Sequence, residues 1–369
     1  MLFIDDILPV EYLGAGYPRS RAIILMANKL GWDVTVYPTH GSGLDFDSVR
    51  QTFPKDIKLL QEGQGEAGLL SLFKALKKPF DVILVSRTHN REALVRALSQ
   101  VSSQAVGKRF VYDAEAIFVE RDILAKRLEG YYVSDSDVKK LIKSEIKLMA
   151  KGMDAISCVS GRDIAIFNAN QKNLRGRIFE LHFPVNIRPN TPRFKDRKGL
   201  IFIGRLMEQD APNFKGLSWF IKKVFPIIRK ENPQITLDIV GPFLPNLIDS
   251  PSDGVNWLGV INNLGPYYDK SRLFIAPVFI ASGIPLKIIN AVANGLPVIA
   301  AKRMGELLDW PSGAMPTADI EIDFARNVSD IYHSEQLWKA TQKISQELVS
   351  KNFSEEVFER NLSLLLEDS

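Results

Sequence analysis

Short, continuous apolar runs alternate with helical stretches through the first half of the chain, and this alternation constrains its fold most strongly. One helical stretch carries Ile23, Met26, Ala27 and Leu30 on one face and ends at Gly31. The apolar runs predict strands at Leu2–Ile4, Val34–Tyr37, Val82–Ser86, Phe110–Tyr112 and Ile156–Val159. Because strands buried on both faces are apolar throughout, this half predicts a parallel sheet covered by helices on both sides.

The same pattern restarts after a polar linker at residues 187–192, which carries two prolines. It predicts strands at Leu200–Gly204, Thr236–Val240, Leu273–Ala276 and Pro297–Ala300, and a helix at Pro285–Asn294. We therefore predict an α/β fold with two Rossmann-like, doubly wound domains, residues 1–187 and 188–350. A final helix, residues 351–369, is expected to cross back to the first domain. Ligands bind at the carboxyl ends of such strands, so a central cleft between the domains is expected.

Composition excludes several classes of protein. Hydrophobic residues make up 46% and charged residues 24%, which is typical of a globular chain rather than a disordered or fibrous one. The net charge of +4 is too small to indicate nucleic-acid binding. A single cysteine, Cys158, allows no internal disulfide and no cysteine zinc site. Four histidines make a multi-histidine metal site unexpected, and we predict no metal site.

The expected location is the cytoplasm, or the cytoplasmic face of a membrane. The first residues include Asp5 and Asp6 where a signal peptide needs a positive start. The longest apolar runs, Leu273–Leu286 and Ile288–Ala301, contain proline and glycine and are too short for a membrane span. Residues 1–185 hold 26 basic and 22 acidic side chains, so they carry the whole basic excess.

Two basic stretches in the first half leave a membrane contact open. Lys74, Lys77 and Lys78 flank an apolar helix, Leu69–Leu76. The second stretch contains Lys139, Lys140, Lys143, Lys147 and Lys151. A basic helix with an apolar stripe can lie on an anionic membrane, and a solvated helix packed on the sheet has the same pattern.

Residues 280–300 are the most informative stretch of the chain. A strand is followed by a glycine turn at Gly283, a helix, a Gly-Leu-Pro stop and another strand. Ser282 is predicted to cap the helix and Pro285 to lie in its first turn. Lys287 then lies at the positive end of the helix dipole, which costs about 0.3–1 kcal/mol. An anion bound there would reverse that cost, so we predict an anion site, the alternative being a solvated surface lysine.

This stretch resembles the C-terminal signature of retaining GT-B glycosyltransferases of family 4, where two glutamates precede small residues and Gly-Leu-Pro-Val. Further landmarks agree along nearly the whole chain: Tyr112–Glu115, Asp154–Ser160, Phe202–Arg205, Ala211–Asn213, Leu237–Gly241, Leu258–Val260 and Arg272–Pro277. The resemblance implies the GT-B fold and transfer of a sugar from a nucleoside-diphosphate donor, UDP- or GDP-linked, to an acceptor hydroxyl. It implies retention at the anomeric carbon and no metal. The acceptor would be a glycan, a lipid-linked molecule or a small molecule.

The resemblance also implies roles for particular residues. Arg205 and Lys287 would neutralise the donor diphosphate, and with them Glu115 would be catalytic. Gly16, beside Gly14 in the first loop, would let the backbone approach the phosphate or sugar closely. The implied donor contacts are Gly16, Gly204, Arg205, Gly241, Val260, Ser282, Gly283, Ile284, Lys287 and Asn290.

Several positions depart from the family pattern. Ser282 and Asn290 stand where the family has its two glutamates, and Glu115 stands where the family often has a histidine that contacts the sugar. His89 is a second polar candidate after the strand Val82–Ser86, and each of these polar residues could also be an ordinary loop residue. These departures keep open an alternative function, a sugar-nucleotide epimerase or a binding-only member of the fold. A dehydrogenase is disfavoured because the loop after the first strand lacks a tight Gly-x-Gly-x-x-Gly turn.

Overall fold

The computed structural model describes residues 1–10, 16–170, 177–245, 253–311 and 313–367. The chain forms two compact units. Unit 1 comprises Met1–Pro184 and Glu356–Ser369, and unit 2 comprises Val185–Glu355. The sequence placed these boundaries at residues 187/188 and 350/351. Within the described residues, no helix is both long and apolar enough to cross a membrane.

Unit 1 is built on a parallel sheet, which has seven strands in the described part of the chain. The strands are β1 (Leu2–Asp5), β2 (Thr35–Pro38), β3 (Lys58–Leu59), β4 (Phe80–Ser86), β5 (Gly107–Ala114), β6 (Ala155–Cys158) and β7 (Arg177–Glu180). Their spatial order is β3-β2-β1-β4-β5-β6-β7. The chain therefore winds outward in one direction from β1 and in the other from β4. Loops diverge between these two strands, and that is where such sheets bind ligands.

Helices cover both faces of the unit 1 sheet. They are α1 (Tyr17–Lys29), α2 (Phe46–Gln51), α3 (Gly65–Lys74), α4 (Thr88–Leu98), α5 (Ser103–Val106), α6 (Phe118–Leu128), α7 (Asp135–Ala150) and α8 (Gly161–Ala169). Side chains of β1 alternate between two hydrophobic layers, Phe3 in one and Leu2 and Ile4 in the other. Both layers are buried, so the strand is apolar throughout, as predicted.

Unit 2 has a parallel sheet in the order β10-β9-β8-β11-β12. The strands are β8 (Leu200–Ile203), β9 (Leu237–Val240), β10 (Val255–Gly259), β11 (Leu273–Ala276) and β12 (Val298–Ala300). Its helices are α9 (Pro212–Trp219), α10 (Phe225–Glu231), α11 (Gly265–Lys270), α12 (Leu286–Ala293), α13 (Lys302–Leu308), α14 (Glu321–His333) and α15 (Glu335–Phe353). A π-helical turn, Phe220–Val224, joins α9 to α10, and a short 3₁₀ turn lies at Phe194–Asp196. In this sheet the loops diverge between β8 and β11.

The last helix, α16 (Glu355–Leu366), packs on unit 1. Phe358, Leu362, Leu365 and Leu366 are buried in the same hydrophobic layer as Phe3. At the surface, Lys29 of α1 and Glu359 of α16 form an ion pair at 3.0 Å. The chain thus enters unit 2 once and returns to complete the core of unit 1.

Candidate functional site

In unit 2, two glycines bring the loops after β8 and β9 into backbone contact. Gly204 follows β8, and Gly241 follows β9 with a φ of 130°, in the region that favours glycine. A Cβ on Gly241 would overlap the carbonyl oxygen of Gly204. A Cβ on Gly204 would in turn lie 3.2 Å from the side-chain Cγ of Asn213. The backbones of these two loops are therefore in contact beside the start of α9.

Lys287 lies in the first turn of α12, and residues from other elements contact its ammonium group. Its Nζ donates to Oδ1 of Asn213 at 2.6 Å, and it lies 5.2 Å from the centre of the Phe202 ring. Asn213 in turn donates to the backbone oxygen of Arg205 at 3.3 Å. Burial lowers the pKa of Lys287 to about 8. Lys287 is therefore a partly desolvated cation held by Asn213 and not a solvated surface lysine, and a bound anion would raise its pKa again.

The other predicted donor contacts of unit 2 differ in their exposure. Arg205 is largely exposed and pairs with Glu208 at 3.0 Å. Gly283 is buried, and Ser282, Ile284 and Asn290 are partly buried. Val260 is 69% exposed after β10.

The predicted cap of α12 is wrong. The helix begins at Leu286 with Pro285 at the cap position, and no side chain caps it. Ser282 lies in the loop before the helix, and Pro285 stands one residue ahead of the first turn. The reason is local, because the two residues Ile284 and Pro285 make an extra bend in which the N–H of Leu286 bonds the oxygen of Ile284 at 2.9 Å.

In unit 1, charged side chains gather at the point between β1 and β4 where the loops diverge. Arg87 directly follows β4 and has a positive φ of 72°, which is rare for a residue with a side chain. Its Nε lies 2.8 Å from Oδ1 of Asp5 and 3.1 Å from Oδ2 of Asp6. Its Nη1 lies 3.4 Å from Oε2 of Glu115, and its guanidinium lies over the ring of Tyr17. Sequence reasoning missed Arg87, although its place after an apolar strand was a signal.

Glu115 follows β5, and its side chain is 12% exposed. Its Oε1 has no hydrogen-bond partner among the described residues. Burial, assisted by the charges of Asp113 and Asp5, raises the pKa of Glu115 to about 7, although Arg87 opposes this shift. Gly16 has a φ of 90°, and a Cβ there would overlap Oε1 of Glu115. The structure thus brings two of the predicted residues together, Gly16 and Glu115, while Gly14 lies outside the described residues.

A buried ion pair fixes the start of α1 against the sheet. Arg19 donates to Asp113 at 2.5 Å and to the backbone oxygen of Leu181 at 2.9 Å. Asp113 also accepts from the hydroxyls of Ser86 and Ser157. Because a buried charge is tolerated when it is paired and hydrogen-bonded, this network holds α1, and with it Gly16, at the strand ends.

His89, the second polar candidate, contacts the carboxylate of Asp6 through its Nε2. The ring of His40 stands 5.7 Å from that of His89, and its Nδ1 lies 4.0 Å from the same carboxylate. Two of the four histidines therefore converge on one acidic residue, which the low histidine count did not predict.

Comparisons with known proteins concern the fold and the second half of the chain. Residues 197–334 match the family model described as glycosyl transferases group 1. A 44.6 kDa protein in the cps region of Klebsiella pneumoniae is 27% identical over 188 residues, 44% of this chain and 45% of that protein. A glycosyltransferase of Haemophilus influenzae is 28% identical over 138 residues, 35% of this chain and 37% of that protein. The aligned part thus spans less than half the length of each relative.

Solved structures show the fold of the whole chain. Sucrose-phosphate synthase from Thermosynechococcus elongatus has a TM-score of 0.72 at 15% identity, covering 99% of this chain and 97% of that one. Anabaena HepE in complex with UDP and glucose has a TM-score of 0.66 at 14% identity, covering 98% and 97%. The fold prediction is therefore confirmed for the whole chain, and the resemblance to glycosyl transferases group 1 is confirmed over residues 197–334.

Proposed function

We propose that this protein is a glycosyltransferase that moves a sugar from a UDP- or GDP-linked donor to an acceptor hydroxyl. The observation that carries the proposal is Lys287, a cation held by Asn213 in the first turn of α12. Backbone N–H groups and the helix dipole at such a position favour a bound phosphate. The segment around it is the one that matches the family model, and a relative with a matching segment is a glycosyltransferase by name.

The chemistry that we propose is retaining and independent of metal. Arg205 and Lys287 stabilise the charge that develops on the departing diphosphate, the task that a divalent cation performs in other transferases. The departing phosphate accepts the proton of the acceptor hydroxyl on the same face of the sugar. In unit 1, the partly buried carboxyl group of Glu115 is suited to hydrogen-bond a sugar hydroxyl. The HepE structure, which contains UDP and glucose, supports a nucleotide sugar as donor.

Calorimetry with UDP and with GDP tests the phosphate site. Lys287→Ala and Arg205→Ala should each weaken binding by about 1.5–3 kcal/mol, because each removes a charge-assisted hydrogen bond. Lys223→Ala, at an exposed lysine of the π-helical turn, is the matched control and should bind as the wild type does. Unchanged affinity in both site variants would reject the assigned site.

The alternative function is a sugar-nucleotide epimerase or a binding-only protein, and Ser282 and Asn290 in place of the family glutamates favour it. Incubation with the donor alone distinguishes a transferase, an epimerase and a binding-only protein. Slow release of free sugar supports a transferase, conversion to an epimer supports an epimerase, and binding without turnover leaves a binding protein. A chelator should leave transfer unchanged, and loss of transfer in the chelator would contradict the metal-independent mechanism.

We further propose that α7 contacts an anionic membrane, which suits a lipid-linked acceptor. Leu141 and Leu148 are 43% and 45% exposed and lie seven residues apart, hence on one side of the helix. Five exposed lysines accompany them: Lys139, Lys140, Lys143, Lys147 and Lys151. The acid among them, Glu145, turns inward and accepts the N–H groups of Phe118 and Val119 at 2.9 Å each. The outer surface of this part of the helix is therefore basic and partly apolar.

Sedimentation with vesicles tests this contact. The protein should bind vesicles that contain phosphatidylserine and should not bind vesicles of phosphatidylcholine alone. Replacing Lys140, Lys143 and Lys147 by alanine should cost about 1 kcal/mol per lysine, so binding should fall by roughly a hundredfold. Alanine at Lys339 and Lys343, two exposed lysines of α15, is the control. If the triple variant of α7 binds the vesicles as tightly as the double variant of α15 does, α7 is only a solvated helix face.

A further inference from the structure

Three loops of unit 1 bring potential metal ligands to one point. Asp6 follows β1, His40 follows β2, and His89 lies in the first turn of α4. One ligand atom from each, a carboxylate oxygen and two ring nitrogens, lies within 4.8 Å of the other two. These segments are distant in sequence and meet only because β1 lies between β2 and β4 in the sheet.

A second layer of side chains orients the carboxylate. Asn90 donates to Oδ1 of Asp6 at 2.8 Å, and the hydroxyl of Thr39 donates to Oδ1 of Asn90 at 2.6 Å. The same hydroxyl lies 2.9 Å from Nδ1 of His40. Asn90 and Thr39 are buried, so this part of the arrangement is fixed by packing. Hydrogen bonds of this kind orient the ligands of metal sites in proteins.

The two imidazoles are much more exposed than the carboxylate. The side chains of His40 and His89 are 64% and 55% exposed, whereas that of Asp6 is 18% exposed. Ligand atoms bound to one Zn²⁺ at about 2.0–2.2 Å lie a little over 3 Å apart. Rotation of the exposed rings can reach that spacing without movement of the backbone. The open side of the trio faces solvent, which leaves room for water at further coordination positions.

The local charge favours a cation. Asp5, Asp6 and Glu115 share the guanidinium of Arg87, so three carboxyl groups contact this one cation. Two imidazoles and one carboxylate form a ligand set suited to Zn²⁺, Co²⁺ or Ni²⁺ rather than to Mg²⁺ or Ca²⁺, which prefer oxygen. We infer that Asp6, His40 and His89 form a binding site for a divalent transition-metal ion. The ion ties together the loops after β1 and β2 and the start of α4.

This site is separate from the donor-diphosphate site, although Arg87 contacts both Asp6 and Glu115. It lies wholly in unit 1, whereas the residues assigned to the donor diphosphate lie in unit 2. Binding of metal is therefore measured without substrate, and its failure would leave the nucleotide calorimetry unaffected.

Titration of the untagged protein with Co²⁺ tests the site. We expect the visible absorption of a protein-bound Co²⁺ ion to reach saturation at a single equivalent and to disappear when Zn²⁺ displaces the ion. His40→Ala and His89→Ala should each weaken Co²⁺ binding by at least about tenfold, the loss seen when even an outer partner of a metal site is removed. Both residues are exposed, and circular dichroism verifies that the variants fold.

His333→Ala provides the matched control, because His333 is an exposed histidine of unit 2. It should bind Co²⁺ as tightly as the wild type does. A wild type without the Co²⁺ absorption, or site variants that bind as the control does, would overturn the inference. Thermal unfolding with Zn²⁺ adds a second readout: the midpoint should rise in the wild type and in the control and stay constant in both site variants.

Discussion

In each unit, burial moves the pKa of one of the predicted site residues close to neutral pH. Lys287 in unit 2 falls to about 8, and Glu115 in unit 1 rises to about 7. Residues shifted in this way, at the carboxyl ends of parallel strands, are characteristic of functional sites. Both residues were singled out from the sequence, but the shifts depend on partners that are distant in sequence.

Glu115 makes the stability of unit 1 depend on pH. Its folded pKa of about 7 lies above its ordinary value of 4.5, so the folded state binds this proton more tightly. The associated stability is present below pH 4.5 and is lost as the pH rises through 7. Glu115→Gln should therefore stabilise the protein at pH 8 by about 2–3 kcal/mol and change little at pH 4.5.

Thermal unfolding at the two pH values measures this difference. Glu231→Gln, at an exposed glutamate of α10, is the control and should show no such pH-dependent gain. If Glu115→Gln is no more stable than the wild type at pH 8, Arg87 already compensates the buried carboxylate.

At the scale of elements, the strands that sequence analysis did not predict all lie at the edges of the sheets. β3 and β7 are the two edges of the unit 1 sheet, and β10 is an edge of the unit 2 sheet. Edge strands face solvent on one side and carry polar residues, as at Arg177 and Asn256. They therefore lack the continuous apolar run by which the central strands were predicted.

The structure interrupts a helix that the sequence predicts after the strand Leu200–Gly204. The spacing places these apolar residues on one helix face: Leu217, Phe220, Ile221, Val224, Ile227 and Ile228. Phe220–Val224 forms a π-helical turn, and α10 begins directly after it with Pro226 near its start. Proline has no N–H to donate to the preceding turn, so the helix changes its hydrogen-bond register there. The apolar face survives, because Leu217, Phe220 and Val224 are all buried in one cluster.

The contact between the loops after β8 and β9 allows a test with two glycines. Gly259→Ala, where φ is 71° and no atom lies within 4 Å of the new Cβ, should cost only the backbone strain, about 1–2 kcal/mol. Gly241→Ala should cost about 1–3 kcal/mol more, since its Cβ overlaps the oxygen of Gly204.

Urea unfolding gives the two free energies, and calorimetry with UDP gives the effect on the site. Gly241→Ala should also weaken nucleotide binding, because the new Cβ pushes the loop that carries Gly204 and Arg205 away from the loop after β9. Equal losses of stability in the two variants would show that the loops can part without cost.

At the scale of the whole molecule, the C-terminal helix α16 belongs to the core of unit 1. Leu362→Ala should destabilise unit 1 by about 2–5 kcal/mol, because this side chain is fully buried among those of α1 and the sheet. Leu364→Ala, two residues away on the same helix, is the control: its side chain is 54% exposed, so little change is expected.

Calorimetric scans distinguish the units, since UDP stabilises only the unit that binds it. Leu362→Ala should lower the transition that UDP does not shift. A loss confined to the UDP-sensitive transition would contradict the assignment of α16 to unit 1.

The sequence alone determined the alternation of the central strands with helices, the restart near residue 200 and the place of Lys287 at the start of a helix. These features depend on residues that are neighbours in the chain, so local periodicity and turn residues reveal them. Only the tertiary structure decided which side chains meet. Asn213 and Lys287 are 74 residues apart, and Asp5 and Arg87 are 82 apart. Such pairs form because parallel strands place distant loops at one edge of a sheet. The strand order decides which loops meet, and no local segment of the sequence specifies that order.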